Sequence, residues 1–185
     1  MRRAVFLDKD GTLVHDVPYN VDPDRMQLRE DAGAALRALQ DAGYALVLVS
    51  NQAGVALGRF DETALEPVWQ RIAHDLVASG VGLTGTYYCP HHPAGLGAYA
   101  IACDCRKPGA GLLQRAAERH GLDLPASWMI GDILDDVEAG HRAGCRAVLL
   151  DVKSETEWRR GPLRTPDYVA RDLTAAARHI VERAR

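Results

Sequence analysis

The sequence predicts an α/β fold in which helices cover both faces of a mainly parallel sheet, a Rossmann-like arrangement of three layers. Short apolar runs alternate with segments in which apolar residues recur at helical spacing. Strands that alternate with helices of ten or more residues are typical of parallel sheets with right-handed crossovers. The 185 residues, 47% of them apolar, are enough for one compact core. We therefore expect residues 1–185 to form a single domain.

Charge and hydropathy exclude two classes of function. Lys and Arg number 22 against 25 Asp and Glu, so a net charge of -3 leaves no basic excess to neutralise a nucleic-acid backbone. The longest apolar run, residues 44–49, is far shorter than the stretch of about 18 residues that spans a bilayer. The apolar run before Asp8 is too short for a secretion signal. We expect a cytoplasmic protein, a monomer, that binds neither nucleic acid nor membrane.

Each predicted strand is a short apolar run bounded by turn residues. The first ends at the turn Asp8-Lys9-Asp10-Gly11, and the second begins directly after Gly43. In chain order the predicted strands are residues 3–7, 44–49, 84–88, 128–130 and 146–150, followed by an edge strand near Tyr168.

Each predicted helix carries apolar residues at helical spacing, and a glycine suited to end a helix follows three of them: Gly43, Gly121 and Gly144. Pro67 disfavours regular helix in the first turns of the second one. The predicted helices are residues 31–42, 61–78, 111–120, 134–143 and a terminal helix from about residue 173. Residues 50–54 and 152–166 are expected to be loops.

Three predicted strands end in polar side chains, and ligands of parallel sheets bind beyond the carboxyl ends of the strands. Two neighbouring carboxylates need a cation, and a hard divalent ion such as Mg²⁺ suits oxygen ligands. A hydroxyl, an amide and an ammonium group can hold anionic oxygens, although each such residue alone is commonly a turn or surface residue. In chain order these residues are Asp8, Asp10, Ser50, Asn51, Lys107, Asp132 and Asp136.

Cysteine spacing predicts a metal site in residues 89–107, a long segment without periodicity that needs internal support. Cys103 and Cys105 are too close in sequence for an unstrained disulfide. Three thiolates and one imidazole, with His92 as the alternative imidazole, would complete a closed and therefore structural Zn²⁺ site. Its predicted ligands are Cys89, His91, Cys103 and Cys105. Cys145 is expected to be a small buried hydrophobe.

The order of these motifs resembles the haloacid dehalogenase superfamily of phosphotransferases over nearly the whole chain. The motifs are Asp8-Lys9-Asp10-Gly11-Thr12, Ser50-Asn51, Lys107, and Gly131-Asp132 with Asp135-Asp136. Three further motifs are similar to the zinc-containing D-glycero-D-manno-heptose 1,7-bisphosphate phosphatases and their histidinol-phosphatase relatives. They are Asn51-Gln52-x-Gly54, Cys89-Pro90-His91-His92-Pro93 and Cys103-Asp104-Cys105-Arg106-Lys107-Pro108.

The resemblance implies a role for each candidate. Asp8 would attack phosphorus to give an acyl phosphate, and Asp10 would serve as general acid and then general base. Mg²⁺ would be held by Asp8, Asp132 and the backbone carbonyl of Asp10. Ser50, the Asn51 region and Lys107 would hold phosphoryl oxygens. Asp136 would support the metal's waters or orient Lys107, and Asp135 would be solvated.

The chain departs from the family pattern at two positions, Leu57 and Ile133, where relatives commonly carry Arg and Lys. Arg59 or Arg106 would then contact a distal anionic group of the substrate. Tyr19 and Asn20, in the loop of residues 14–24, are candidate substrate contacts and equally good turn residues. No insertion between the motifs is long enough for a separate cap domain.

The leading hypothesis is a Mg²⁺-dependent phosphomonoesterase that acts on a small phosphorylated sugar, removing the 7-phosphate of heptose 1,7-bisphosphate. Histidinol phosphate and other small sugar phosphates are the alternative substrates. Phosphotransfer to another acceptor would use the same residues. A zinc-stabilised module that binds a phosphorylated metabolite without catalysis is the remote alternative, which retention of both Asp8 and Asp10 disfavours.

Overall fold

Six strands form one sheet in the computed structural model, which describes residues 1–183. In chain order the strands are β1 (Ala4–Leu7), β2 (Ala45–Asn51), β3 (Gly85–Cys89), β4 (Trp128–Gly131), β5 (Arg146–Leu150) and β6 (Tyr168–Ala170). Their spatial order is β3-β2-β1-β4-β5-β6, and every pair is parallel. In register, Val5 of β1 pairs with Leu46 of β2 on one side and Trp128 of β4 on the other. The carboxyl ends of β1, β2 and β4 therefore lie side by side.

Helices cover both faces of this sheet, which confirms the predicted three-layer α/β fold. The α-helices are α1 (Ala32–Asp41), α2 (Ala53–Ala56), α3 (Leu65–Ala78), α4 (Gly111–His120), α5 (Leu134–Arg142) and α6 (Leu173–Glu182). Short 3₁₀ turns lie at Pro23–Arg25, Glu62–Ala64, Gly97–Tyr99 and Leu124–Ala126. Within residues 1–183, no inserted domain separates the strands and helices of this sheet.

Side chains of the central strand alternate between two buried clusters. Val5 and Leu7 of β1 pack with residues of α1, α3 and α6, whereas Ala4 and Phe6 pack with residues of α4 on the other face. All four are fully buried. Full burial on both faces explains why this strand is an unbroken apolar run rather than an alternating one.

Three boundaries differ from the predicted ones in ways that affect the site. Strand β2 continues through Asn51 and α2 follows almost at once, so residues 50–54 are not a loop. Strand β3 extends to Cys89, which places this cysteine at a strand end. The predicted helix of residues 61–78 is a 3₁₀ turn followed by α3. Pro67 fits the first turn of α3, where its missing N–H has no helical acceptor.

None of the helices within residues 1–183 has the length and apolar character that crossing a bilayer requires.

Candidate active site

Three buried carboxylates converge where β1 and β4 end. Asp8 follows β1, Asp132 follows β4 and Asp136 lies in the first turn of α5. One oxygen from each lies within 4.8 Å of the others, a spacing that suits a shared metal ion. The exposed fractions of the three residues are 8%, 6% and 0%. Adjacent parallel strands bring together side chains that are more than 120 positions apart in sequence.

Lys107 enters this cluster from the segment between β3 and α4. Its Nζ lies 2.5 Å from Asp8 Oδ1 and 2.6 Å from Asp136 Oδ1. It also donates to the carbonyl of Val49 at 3.2 Å, so its ammonium group has three oxygen neighbours. Burial alone would lower the pKa of Lys107, but Asp136 and Asp8 outweigh it and raise this pKa above the usual value. The lysine is therefore a fixed cation.

The acidic groups remain in excess even with this lysine. Burial raises the pKa of Asp8 to about 7, where Asp136 and Asp10 add to the effect and Lys107 opposes it. Burial and the neighbouring Asp8 raise the pKa of Asp132 to about 6. Three carboxylates and one ammonium group leave a formal charge of about -2, which one divalent cation would balance. The donor set, made of oxygens alone, fits a hard ion.

Asp10 is held by contacts to both of its carboxylate oxygens. Lys9 Nζ lies 2.6 Å from Oδ1, and Gln52 Nε2 donates to Oδ2 at 3.2 Å. Gln52 also donates to Ser50 Oγ at 2.8 Å, so it places the predicted hydroxyl beside the predicted acid. Sequence reasoning did not assign Lys9 or Gln52 to the site, although both lie inside the motifs that carry the family resemblance.

The Asn51 side chain makes contacts other than the predicted one. Its Nδ2 donates to the carbonyl of Lys107 at 3.0 Å, and its Oδ1 accepts from the Lys107 N–H at 2.9 Å. Both polar groups of the amide thereby connect the end of β2 to the segment that carries Lys107. A contact from Asn51 to substrate oxygens stays a prediction.

Three further residues support Asp132. Gly11, with φ of 76°, turns the chain where a Cβ would overlap the Asp132 carboxylate, so only glycine fits. Thr12 Oγ1 donates to Asp132 Oδ1 at 3.3 Å. A hydrogen bond from Ser154 lowers the Asp132 pKa against the effect of burial. Ser154 belongs to the polar segment of residues 152–166, where nothing in the sequence signals a site residue.

Asp135 is partly exposed, with 36% of its side chain accessible to solvent, and it also forms an ion pair that the sequence did not predict. It pairs with Arg164 Nη2 at 2.8 Å. The same guanidinium reaches Glu138 through Nη1 at 2.7 Å. Asp136, one residue along the helix, points inward instead and fixes Lys107. The two adjacent aspartates thus have different partners, Arg164 for Asp135 and Lys107 for Asp136.

Two adjacent cavities lie beside these groups. One, of about 230 Å³, is lined by Asp8, Asp10, Asp16, Asn51, Lys107, Asp132, Ile133, Asp136 and Ser154. The other, of about 250 Å³, shares Asp10, Asp16 and Asn51 with it and extends past Tyr19 and Asn20. Ile133 therefore lines the same cavity as the three buried carboxylates. Asp16 forms no ion pair within the described part of the chain.

The four predicted substrate contacts outside the carboxylate cluster differ in their surroundings. Tyr19 is half exposed at φ 55°, and the Arg59 guanidinium lies 5.5 Å above its ring. Asn20 bonds through both side-chain atoms to the backbone of Asp22, which is turn chemistry. Arg106 donates to the carbonyl of His91 at 3.4 Å, within the cysteine-rich loop. Tyr19 and Asn20 thus line the outer cavity of about 250 Å³, and Arg59 reaches it only through its contact with the Tyr19 ring.

The four predicted zinc ligands meet in one cluster. The sulfur of Cys105 lies 3.2 Å from that of Cys89 and 3.1 Å from that of Cys103, and His91 Nδ1 lies 3.3 Å from Cys105. These separations are too long for disulfide bonds, which measure about 2.05 Å. A tetrahedral ion with Zn–S bonds of about 2.3 Å needs sulfur atoms roughly 3.8 Å apart, so the cluster fits such an ion after a small expansion.

His92 and Cys145 lie outside this cluster. His92 Nδ1 accepts from the Ala94 N–H, and the metal-binding group contains His91 instead. Cys145 is 5% exposed, and burial raises the pKa of its thiol to about 12, as expected of an inert core residue.

Comparison with known proteins assigns the family. Residues 104–176 match the family model described as HAD-hydrolase-like. The D-glycero-beta-D-manno-heptose-1,7-bisphosphate 7-phosphatase of Haemophilus ducreyi is 45% identical over 150 residues, covering 80% of this chain and 82% of the relative. The enzyme of the same name from Escherichia coli K12 is 38% identical over 165 residues, covering 89% and 83%.

A solved structure agrees with these relatives. The D,D-heptose 1,7-bisphosphate phosphatase from B. bronchiseptica, complexed with magnesium and phosphate, superposes with a TM-score of 0.80 at 28% identity, covering 98% of this chain and 99% of that one. A Rossmann-like sheet with a buried carboxylate and lysine cluster at its carboxyl edge defines a phosphatase of the haloacid dehalogenase type. The chain belongs to this superfamily and, within it, to the heptose bisphosphate phosphatase family. Phosphatases of this class use a divalent metal.

Proposed function

We propose that the chain removes the 7-phosphate of D-glycero-D-manno-heptose 1,7-bisphosphate through an aspartyl-phosphate intermediate. The observation that carries the chemistry is the meeting of Asp8, Asp10 and Lys107 around one cavity at the carboxyl edge of the sheet. The substrate follows from the relatives, which carry this activity in their names and match about four fifths of the chain or more.

In the first half-reaction a carboxylate oxygen of Asp8 forms a bond to phosphorus while the bond from phosphorus to the sugar oxygen breaks. Asp10 gives a proton to the departing alkoxide, which leaves as the sugar alcohol. In the second half-reaction Asp10 takes a proton from water, the water oxygen bonds to phosphorus, and Asp8 is released with inorganic phosphate. The two contacts to Asp10 hold it in place for both proton transfers.

Charge at the phosphoryl group is balanced by fixed side chains. Lys107, buried and paired with Asp136, holds its ammonium group beside the attacking oxygen. Ser50 keeps its O–H free to donate to a phosphoryl oxygen, because Gln52 occupies it only as an acceptor. Since both oxygens of Asp136 are engaged, by Lys107 and by the Ile133 N–H, we assign it to orienting the lysine.

The resident cation is proposed to be Mg²⁺, held by Asp8, Asp132 and the backbone carbonyl of Asp10. When bound, it neutralises phosphoryl oxygens and offsets the repulsion among the carboxylates. The excess negative charge of the cluster supports this proposal, as does the solved relative that contains magnesium and phosphate.

Zn²⁺ is proposed for the site of three cysteines and His91, in a structural role. The clustered ligands lead directly into Arg106 and Lys107, so an ion there would fix where the catalytic lysine enters the site. Thiolate ligands need a reducing compartment, which supports the cytoplasm as the place of action.

Arg59, whose guanidinium lies over the Tyr19 ring, is proposed to bind the distal phosphate of the sugar. This assignment compensates for Leu57 and Ile133, which are uncharged. A second candidate substrate, histidinol phosphate, is favoured by one observation: the Asp16 carboxylate lines both cavities and would pair with an amine. Its single phosphate would leave Arg59 without a partner.

Phosphate release with Mg²⁺ from both anomers of heptose 1,7-bisphosphate, histidinol phosphate and simple sugar phosphates tests the proposal. We expect kcat/KM for one heptose anomer to exceed that for histidinol phosphate by about a hundredfold, since a site built for two anions leaves charges unpaired with one. The Asp8→Asn variant is the control and should show no turnover while still folded. A preference for histidinol phosphate would reverse the substrate assignment, and retention of activity in Asp8→Asn would remove the mechanism.

A further inference from the structure

We propose that Lys9 is a positioning residue for Asp10, and that the ring of Trp69 holds Lys9 in that position. This inference rests on the proposed function, because it takes Asp10 as the general acid and base. It assigns a role to the residue between Asp8 and Asp10.

The contacts that Lys9 makes do not offset the free energy of removing its ammonium group from water. It is 3% exposed, and within the described residues its ammonium group has one ion-pair partner, Asp10 Oδ1 at 2.6 Å. Desolvation of a lysine costs several kcal/mol, and a single pair with a carboxylate rarely returns more than that. A lysine kept here is therefore best explained by what it does to Asp10.

The effect on Asp10 is to fix the plane of its carboxylate. Lys9 contacts Oδ1 from the catalytic turn, and Gln52 contacts Oδ2 from the end of β2. A carboxylate held at both oxygens by different elements cannot rotate about its side-chain bond. Each oxygen still has a second lone pair, which is free to carry the proton destined for the leaving group.

Trp69 and the residues behind it complete the support. Lys9 Nζ lies 5.8 Å from the centroid of the Trp69 ring, within the range of a cation–π contact. Trp69 stacks on Tyr88 with centroids 5.6 Å apart, and Tyr88 donates to Glu62 at 3.0 Å. Glu62 also accepts from Tyr99, in the segment of residues 89–107, at 2.6 Å. Lys9 therefore contacts a chain of packed and hydrogen-bonded side chains that extends from α3 and β3 to that segment.

Lys9 also lines the outer cavity of about 250 Å³, so direct contact with a substrate anion is the competing role for this residue. The two roles differ in the step that they affect. If Lys9 positions Asp10, its loss should impair proton transfer to the leaving group rather than substrate binding.

Two leaving groups distinguish these effects. Departure of a sugar alkoxide needs the Asp10 proton, whereas p-nitrophenolate leaves without it. For Lys9→Met we expect kcat/KM to fall about a hundredfold with the sugar phosphate, the usual cost of a misplaced catalytic group. With p-nitrophenyl phosphate we expect a fall of less than about fivefold. Lys9→Arg, which keeps the cation, should recover most of the loss.

Companion variants keep the test decisive if Lys9→Met folds poorly. Trp69→Leu should show the same selective loss at smaller amplitude, and Trp69→Phe should stay near the parent. In an Asp10→Asn background, Lys9→Met should cause no further loss, because the two residues act as a unit. Lys153→Met makes the same chemical change at an exposed lysine and should leave both substrates unaffected.

Equal losses on both substrates would show a merely structural role for Lys9 and overturn the inference. An increase in KM with unchanged kcat would assign Lys9 to substrate binding and also overturn it. A parent protein inactive on both phosphate esters would instead refute the proposed function, which is a distinguishable result.

Discussion

Replacing Asp8 with Asn should make the metal-free protein more stable while abolishing turnover. Burial raises the Asp8 pKa from 3.8 to about 7. Below pH 3.8 the carboxyl group is protonated in both the folded and the unfolded chain and does not reduce the free energy of unfolding. As the pH rises from 3.8 to about 7, the unfolded chain loses this proton first, and the folded protein loses stability. At pH 8 the whole penalty applies. Because one pKa unit corresponds to about 1.4 kcal/mol, the upper limit is about 4 kcal/mol. Relaxation of neighbouring groups reduces this, and we expect a gain of about 1–3 kcal/mol.

Urea unfolding at pH 8 measures this change in the free energy of unfolding. It is carried out first without Mg²⁺ and then with Mg²⁺ at about 10 mM, a concentration chosen to saturate the site. The parent should gain stability from Mg²⁺, and Asp8→Asn should gain much less because it lacks one carboxylate of the cluster. Asp135→Asn is the matched control, since its carboxylate pairs with Arg164 outside the cluster. Equal or lower stability of Asp8→Asn relative to this control, or equal gains from Mg²⁺, would refute the charge argument.

Three other predictions concern separate parts of the molecule. Cys103→Ser should lower the amount of zinc bound per chain and reduce kcat at least about tenfold, because Lys107 would no longer be held in place. Full activity in protein that elemental analysis shows to contain no zinc would contradict this. Arg59→Gln should raise KM about tenfold for the bisphosphate and leave a monophosphate unaffected, so equal changes would exclude a distal-phosphate role. Burial, helped by Arg183, lowers the pKa of His179, so stability falls as the pH drops below 6.5. His179→Phe should flatten the loss of urea stability between about pH 7.5 and 5.5, and an unchanged pH dependence would make this wrong.

The convergence of three predicted site residues could be anticipated because parallel strands end at one edge of the sheet. Asp8, Ser50 and Asp132 each follow a recognisable apolar run, so their convergence needed no knowledge of side-chain packing. The inward position of Asp136 followed from its motif. The spatial order of the strands did not follow from the sequence, since each βα unit is compatible with more than one neighbour.

Contacts between distant loops lay beyond sequence reasoning. Asn51 carries an amide that suits phosphate as well as it suits the Lys107 backbone, and only the fold brings that backbone within 3 Å. The pairing of Asp135 with Arg164 spans 29 positions, and the contact of Ser154 with Asp132 arises from a segment with no periodicity. Such contacts depend on loop paths, which local propensity does not determine.

The lack of an inserted domain over the carboxyl edge of the sheet bears on which step limits turnover. Within residues 1–183 no inserted domain stands over the cavity, and access is bounded by the loop carrying Tyr19 and by the segment carrying Ser154. We therefore expect substrate to arrive, and sugar and phosphate to depart, without a hinge motion between domains. A measurement of kcat in viscous solvent tests this, and we expect little change.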